Sequence, residues 1–214
     1  MNGWSARFYD TFLSPTESAG LRAWRRALLS ATRGPTLEIG AGTGLNLPLY
    51  PSPGPSHLTL SEPSDAMRAQ LSAKLSAQPP PFATTLRSHG AERIPDPDDS
   101  YETVVCTLVL CTVPDPAAVL AEVRRVLRPT GRLLFIEHVA AAGAWRTGQR
   151  LLEPVWRPLA GGCCLTRETL PAISAAGFEV VDVSHDHLPR APGFLRTSIR
   201  GTARPRGKGG ARGV

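Results

Sequence analysis

The sequence predicts a doubly wound α/β fold, built on a mostly parallel seven-stranded sheet with a terminal antiparallel hairpin. Three observations lead there. Short apolar runs alternate with helical patterns about five times along the 214 residues. Two strands with polar alternation then come in direct succession near the end. A glycine-rich turn, Gly40-Ala41-Gly42-Thr43-Gly44, follows the first apolar strand, where sheets of this kind bind ligands.

In chain order, residues 1–33 read as an N-terminal helical cap. Within 15–31, Leu21, Trp24, Leu28 and Ala31 recur at helical spacing, and Arg22, Arg25 and Arg26 are expected to point outward. The first strand is placed at 36–39, followed by the glycine turn and a short helix. A second strand at 57–62 leads to a helix over 65–77, with Ser64 as its cap and "QPPP" as its stop. The third strand is 82–88 and the fourth 104–110, an unbroken apolar run suited to a strand covered on both faces. A helix over 116–127 and a strand over 131–139 follow. Thr166 is expected to cap a helix over 167–176 that stops at Gly177. "FEVVDVS" and "FLRTSIRGTA" supply the hairpin. One domain thus spans 1–203, with an insert over 140–165 and a basic tail over 204–214 read as disordered.

The charge and cysteine content narrow the class. The net charge is +6, but four of the surplus charges, Arg204, Arg206, Lys208 and Arg212, sit on the Gly-rich tail. A solvated terminus explains them, so no nucleic-acid partner is expected. The start carries no signal-peptide pattern, and the longest apolar run is about half a membrane span. A soluble, cytoplasmic protein is expected. Cys106, Cys111, Cys163 and Cys164 lack the spacing of a zinc site, so no metal is expected; they read as packing residues.

The glycine turn discriminates among cofactors. A dinucleotide fingerprint needs a sixth-place glycine, where this chain has Leu45; a P-loop needs Lys and Ser/Thr, where it has Leu45 and Asn46. Glu38 beside the turn would repel a pyrophosphate but attract an ammonium group. Glu62, at the end of the second strand, is placed to accept two ribose hydroxyls. S-adenosylmethionine, a sulfonium nucleoside with an α-ammonium and no phosphate, fits both carboxylates, and glycine lets it lie close to the backbone.

"LEIGAGTGLNLPLYP", "LSEPSDAMR" and "YETVVCTLVLCTVPDPAAVLAEVRRVLRPTGRLLFIEHV" resemble, in order, the motifs of class I S-adenosylmethionine-dependent methyltransferases with their Rossmann-like fold. The resemblance implies that Glu38, Gly40, Ala41, Gly42 and Gly44 line the methionine part and Glu62 holds the ribose. Pro63 and Met67 would flank the adenine, with Ala91 and Glu92 at its edge. Many relatives carry an aspartate where this chain has Gly90. Thr107 and Leu108 would line the methionine pocket, and Phe8 and Tyr9 would close over the cofactor.

"LLEPVWRPLAGGCCLTRETLPAISAAGF" further resembles the methyltransferase-like enzymes that methylate small alkyl thiols and their bacterial relatives. A small, hydrophobic acceptor, with a thiol leading, is therefore expected. A quinone or phospholipid-headgroup acceptor, or a cofactor-binding protein without catalysis, stands as the alternative. His138, at the end of the fifth strand, is the candidate general base because imidazole titrates near neutrality, with Glu137 as a possible orienting group. His185 and His187 read as rim residues after the penultimate strand, and Asp115 as a turn residue. Trp145, Leu151, Leu152, Trp156 and Leu165 are expected to surround the acceptor pocket of the insert.

Overall fold

The computed structural model describes residues 3–207, with side chains described from Asp10 onward. Its strands are β1 (Pro35–Ile39), β2 (His57–Ser61), β3 (Ala83–Arg87), β4 (Tyr101–Thr107), β5 (Leu127–His138), β6 (Phe178–His187) and β7 (Thr197–Pro205). They form one seven-stranded sheet in the order β3-β2-β1-β4-β5-β7-β6. Strands β1 to β5 pair in parallel, and β7 runs antiparallel to both β5 and β6.

The helices are α1 (Gly3–Thr16), α2 (Arg22–Leu29), α3 (Asp65–Ala77), α4 (Pro116–Val126), α5 (Gly143–Leu159) and α6 (Thr169–Ala175). A single π-turn, Glu17–Leu21, joins α1 to α2 and breaks at Gly20. On one face of the sheet, Val104, Cys106, Leu133 and Phe135 pack against Val119, Leu120 and Val123 of α4 and Ile173 of α6. On the other, Leu58, Leu60, Val105 and Leu134 meet Leu29 of α2 and Leu71 of α3. Burying each such side chain contributes about 1.5–3 kcal/mol, which explains why the central strands are apolar on both faces. No helix among the described residues is long and apolar enough to cross a membrane.

Several boundaries differ from the sequence reading for local reasons. Strand β4 is shifted three residues toward the N-terminus of the expected 104–110 run, ending at Thr107. Leu108 turns to a φ of 60°, and the next three amides leave the sheet: Val109 N and Leu110 N donate to Glu137 Oε1 at 2.9 Å, and Cys111 N donates to Glu137 Oε2 at 3.1 Å. The helix expected after the glycine turn is one 3-10 turn, Leu47–Leu49. Asp115 caps α4, its Oδ1 accepting from Ala117 N and Ala118 N at 3.0 Å. Ser64 occupies the cap position of α3 but makes no side-chain cap bond. Thr166 does not cap α6, which starts at Thr169; its amide and hydroxyl donate to Glu153 Oε2 at 2.9 and 2.8 Å. Arg204 and Pro205 belong to β7, paired with Glu179 and Phe178, so the tail begins later than residue 204. Lys208 and Arg212 lie outside the described residues.

Glu137 is fully buried, and burial pushes its carboxyl up to about 7 against the pull of the three amides. A glutamine there can accept two of those N–H groups on its oxygen but turns its own NH2 toward the third. Glu137→Gln should therefore destabilise the fold by about 1–3 kcal/mol in urea titrations, the cost of one orphaned buried amide. An unchanged midpoint would show that this clamp does not hold the loop.

Candidate active site

The turn after β1 carries Gly40, Gly42 and Gly44 at φ values of 60°, 57° and 84°. At Gly42 the left-handed backbone excludes most side chains, and a Cβ built there would meet nothing closer than Met67 Sδ at 3.9 Å. The backbone therefore faces open space at that point. The cleft is lined by Arg25, Glu38, Gly40, Ala41, Gly42, Thr43, Leu45, Asn46 and Thr107.

Buried polar groups organise its floor. Glu38, 2% exposed, accepts from Asn46 Nδ2 at 3.0 Å and from the Tyr50 hydroxyl at 2.6 Å. Asn46 Nδ2 also donates to Thr107 Oγ1 at 3.0 Å. Arg25 closes the network: one guanidinium nitrogen donates to Asn46 Oδ1 at 3.0 Å and Thr107 Oγ1 at 2.9 Å, while Nε meets Glu17 Oε1 at 2.8 Å. Arg25 is 3% exposed, which corrects its expected outward orientation. Leu21, Arg25 and Leu29 form a buried stripe at four-residue spacing, and that spacing was the available sign. Burial raises the Glu38 carboxyl above its ordinary range, opposed by Tyr50, Asn46 and Arg25.

Glu62, at the end of β2, accepts from Gly42 N and Ser64 N, both at 2.8 Å, so each oxygen keeps a lone pair for a ligand. Met67 is buried beneath the turn, whereas Pro63 is exposed. Ala91 is buried in the core, and Glu92 is exposed on its backbone neighbour. The Glu92 carboxylate folds back over Gly90: a Cβ built on Gly90 would lie 3.0 Å from Glu92 Oε2. Leu108 N donates to Ile136 O at 2.7 Å and ties the end of β4 to β5. The side chains of Phe8 and Tyr9 lie outside the described residues. Their neighbour Asp10 accepts from Thr43 Oγ1 and from Lys74 Nζ, which anchors α1 over the glycine turn.

A family model for a methyltransferase domain matches residues 37–135. The human thiol S-methyltransferase TMT1B is 36% identical over 188 residues, covering 83% of this chain and 76% of its own. The human thiol S-methyltransferase TMT1A is 37% identical over 170 residues, covering 78% and 69%. The chain belongs to the class I S-adenosylmethionine-dependent methyltransferases. Its fold agrees with that of an S-adenosylmethionine-dependent methyltransferase from Mesorhizobium loti, with a TM-score of 0.66, 21% identity and coverage of 88% and 99%.

In this methyltransferase, β5 runs beside β4, and the segment that follows it is tied to α5. His138 is 2% exposed; its Nε2 lies 3.4 Å from the Phe194 carbonyl and its Nδ1 is buried without a conventional hydrogen bond. Glu137 does not orient it. Successive strand residues point to opposite faces, and the Glu137 carboxylate is spent on the 109–111 amides. Gln149, fully buried, fixes the start of α5 by donating to Phe194 O at 2.9 Å and accepting from Ala141 N at 2.7 Å.

The insert is only partly inward-facing. Leu165 is buried and the Trp156 ring packs edge-on against Phe194 at 5.2 Å, but Trp145 and Leu151 are 63% and 76% exposed and Leu152 is exposed too. These three therefore do not line an enclosed pocket. His185 and His187 are exposed within β6, an edge strand, rather than in a loop after it.

A carboxyl whose folded pKa is raised contributes stability that is complete below its ordinary value, about 4.5, and is lost as pH rises through the folded value. Glu38→Gln cannot ionise. Its apparent melting temperature should match or exceed wild type near neutral pH, with the difference shrinking toward about pH 4.5. The same variant should bind S-adenosylmethionine at least about tenfold more weakly in calorimetry, or about 1.4 kcal/mol. Unchanged affinity would remove Glu38 from the ligand site.

Proposed function

We propose that this methyltransferase transfers the methyl group of S-adenosylmethionine to a small hydrophobic thiol. Kinship with thiol S-methyltransferases over most of the chain carries the reading. The apolar residues around the insert, Trp156 packed on Phe194 and the buried Leu165, agree with it.

The residues of the cleft fit the donor. Gly42 leaves room against the backbone, and Glu38 is a buried carboxylate whose shift calls for a cation such as the α-ammonium. Arg25, with Asn46 and Thr107, supplies positive charge for the donor's carboxylate. Glu62 would take the ribose hydroxyls with its free lone pairs. Gly90 stands where many relatives carry an aspartate, and the Glu92 carboxylate, folded over Gly90, would be the group that meets the adenine edge. When bound, S-adenosylmethionine supplies a methyl group on a sulfonium leaving group.

The protein's share of the work is to align the acceptor and exclude water, an effect worth up to roughly 7–11 kcal/mol in favourable cases. A thiol with a pKa of about 8.5 is already partly thiolate near neutrality, so it asks little of a base. His138, buried at the end of β5, takes the remaining proton and orients the acceptor.

A panel of alkyl thiols, hydroquinones and phosphatidylethanolamine, assayed for S-adenosylhomocysteine release, tests the acceptor. Product should appear with thiols alone; methylation of only the quinols or the lipid would replace the thiol reading. His138→Ala should lower turnover most near neutral pH, where an ordinary imidazole can take a proton and little thiolate forms unaided, and less as pH approaches about 8.5. An equal loss at every pH would leave His138 a positioning role only. Glu62→Ala should weaken donor binding at least about tenfold and lower the melting temperature, because the Gly42 and Ser64 amides lose their acceptor; unchanged binding would overturn the ribose assignment.

A further inference from the structure

Two cysteines that the proposed reaction does not use lie side by side beneath the insert. The loop after β4 is held on its amide side by Glu137, and the Cys111 carbonyl accepts from Cys164 N at 2.8 Å. Gly162, at a φ of 99°, lets the second loop approach so closely that a Cβ there would lie 2.8 Å from Thr112 O. This backbone contact brings Cys111 and Cys163 next to each other, so that each thiol acts on the other's ionisation, and both are free.

The His138 ring and the Trp156 indole also face the Cys163 sulfur. Each carries a buried nitrogen, Nδ1 and Nε1, without a conventional hydrogen bond. The indole N–H can only donate, and left like this inside a protein it is costly unless something accepts from it, as a nearby sulfur anion does. The hydrogen bond from Cys111, opposed by burial and helped by His138 and Trp156, pulls the Cys163 thiol down to about 5. Cys111 is pushed well above its ordinary range, first by that same bond and then by burial and Glu137. Capping Cys163 would remove the first of these causes and free Cys111 to react. Cys163 retains 8% exposure, whereas Cys111 has 2% and Cys106 none.

We propose that Cys111 and Cys163 are a redox-active dithiol, oxidised to an internal disulfide by low-molecular-weight disulfides. The Cys163 thiolate attacks one sulfur of RSSR; that S–S bond breaks, and the departing RS⁻ takes a proton from water to become RSH. Cys111 gives up its proton and attacks the Cys163 sulfur, expelling the second RS⁻, which is protonated in turn. Two protein thiols are oxidised and one disulfide is reduced to two RSH. The new bond fastens the 160–165 loop to the loop after β4 and fixes the insert over the acceptor side. Its chemistry does not depend on which acceptor the methyltransferase uses.

The test is mass mapping of the full chain after exposure to 2-hydroxyethyl disulfide. Wild type should lose two hydrogens and yield joined peptides containing Cys111 and Cys163, reversed by dithiothreitol. Cys111→Ser should stop at a hydroxyethylthio adduct on Cys163, Cys163→Ser should leave Cys111 unmodified, and Cys164→Ser should cross-link as wild type does. A stable adduct on wild-type Cys163 without cross-linking, first modification at Cys164 or Cys106, or no reaction under native conditions would overturn the proposal. Failure of the alkyl-thiol assay would leave these masses unaffected, so the two readings fail separately.

Discussion

A guanidinium sealed from water constrains the whole donor side. Arg25 carries a full charge at 3% exposure, and stripping such a group of partners costs several kcal/mol. Its partners come from three parts of the chain: Glu17 from the π-turn, Asn46 from beyond the glycine turn, and Thr107 from the end of β4. The N-terminal helices, the turn and the central strand are thereby set relative to one another by one cation. Glu38 joins the same network through Asn46, so the carboxylate that sequence chemistry singled out is oriented by a residue that it did not.

The acceptor side rests on a second buried charge, used differently. Glu137 accepts three consecutive amides of a loop that has left the sheet, doing for irregular backbone what a neighbouring strand does for regular backbone. With its amides and the Cys111 carbonyl both engaged, this loop is a fixed wall. The insert packs against that wall through Gly162 and Cys164.

What the sequence made legible follows from locality. The strands around the glycine turn, α3, α4 and the closing hairpin were readable because periodicity, breakers and turn residues act within a few positions. The mostly parallel sheet with its closing hairpin followed from the alternation of strands and helices. Arg25 was misplaced because Trp24 and Leu28 offered a competing apolar stripe, although Leu21 and Leu29 marked the true one. The end of β4 was misplaced because Leu108 to Leu110 stay apolar after the strand has stopped; what stops it is a carboxylate 27 residues away from Leu110. The meeting of Cys111 with Cys163 leaves no local trace at all. Trp145, Leu151 and Leu152, three of the insert's five expected lining residues, face outward, which composition alone does not distinguish from a lining.

Glu137 and His138 are neighbours in the chain and opposites in space. One serves the loop beneath the sheet's end, the other the insert, and the division is enforced by strand parity alone. Deleting one residue of β5 just before Glu137 would bring His138 to the carboxylate's place, and inserting one would bring Glu137 to the imidazole's. The first would leave three amides facing a ring, and the second would drive a charge toward the insert. Length changes in this segment are therefore tolerable only in pairs, a rule on its evolution that no side-chain contact states.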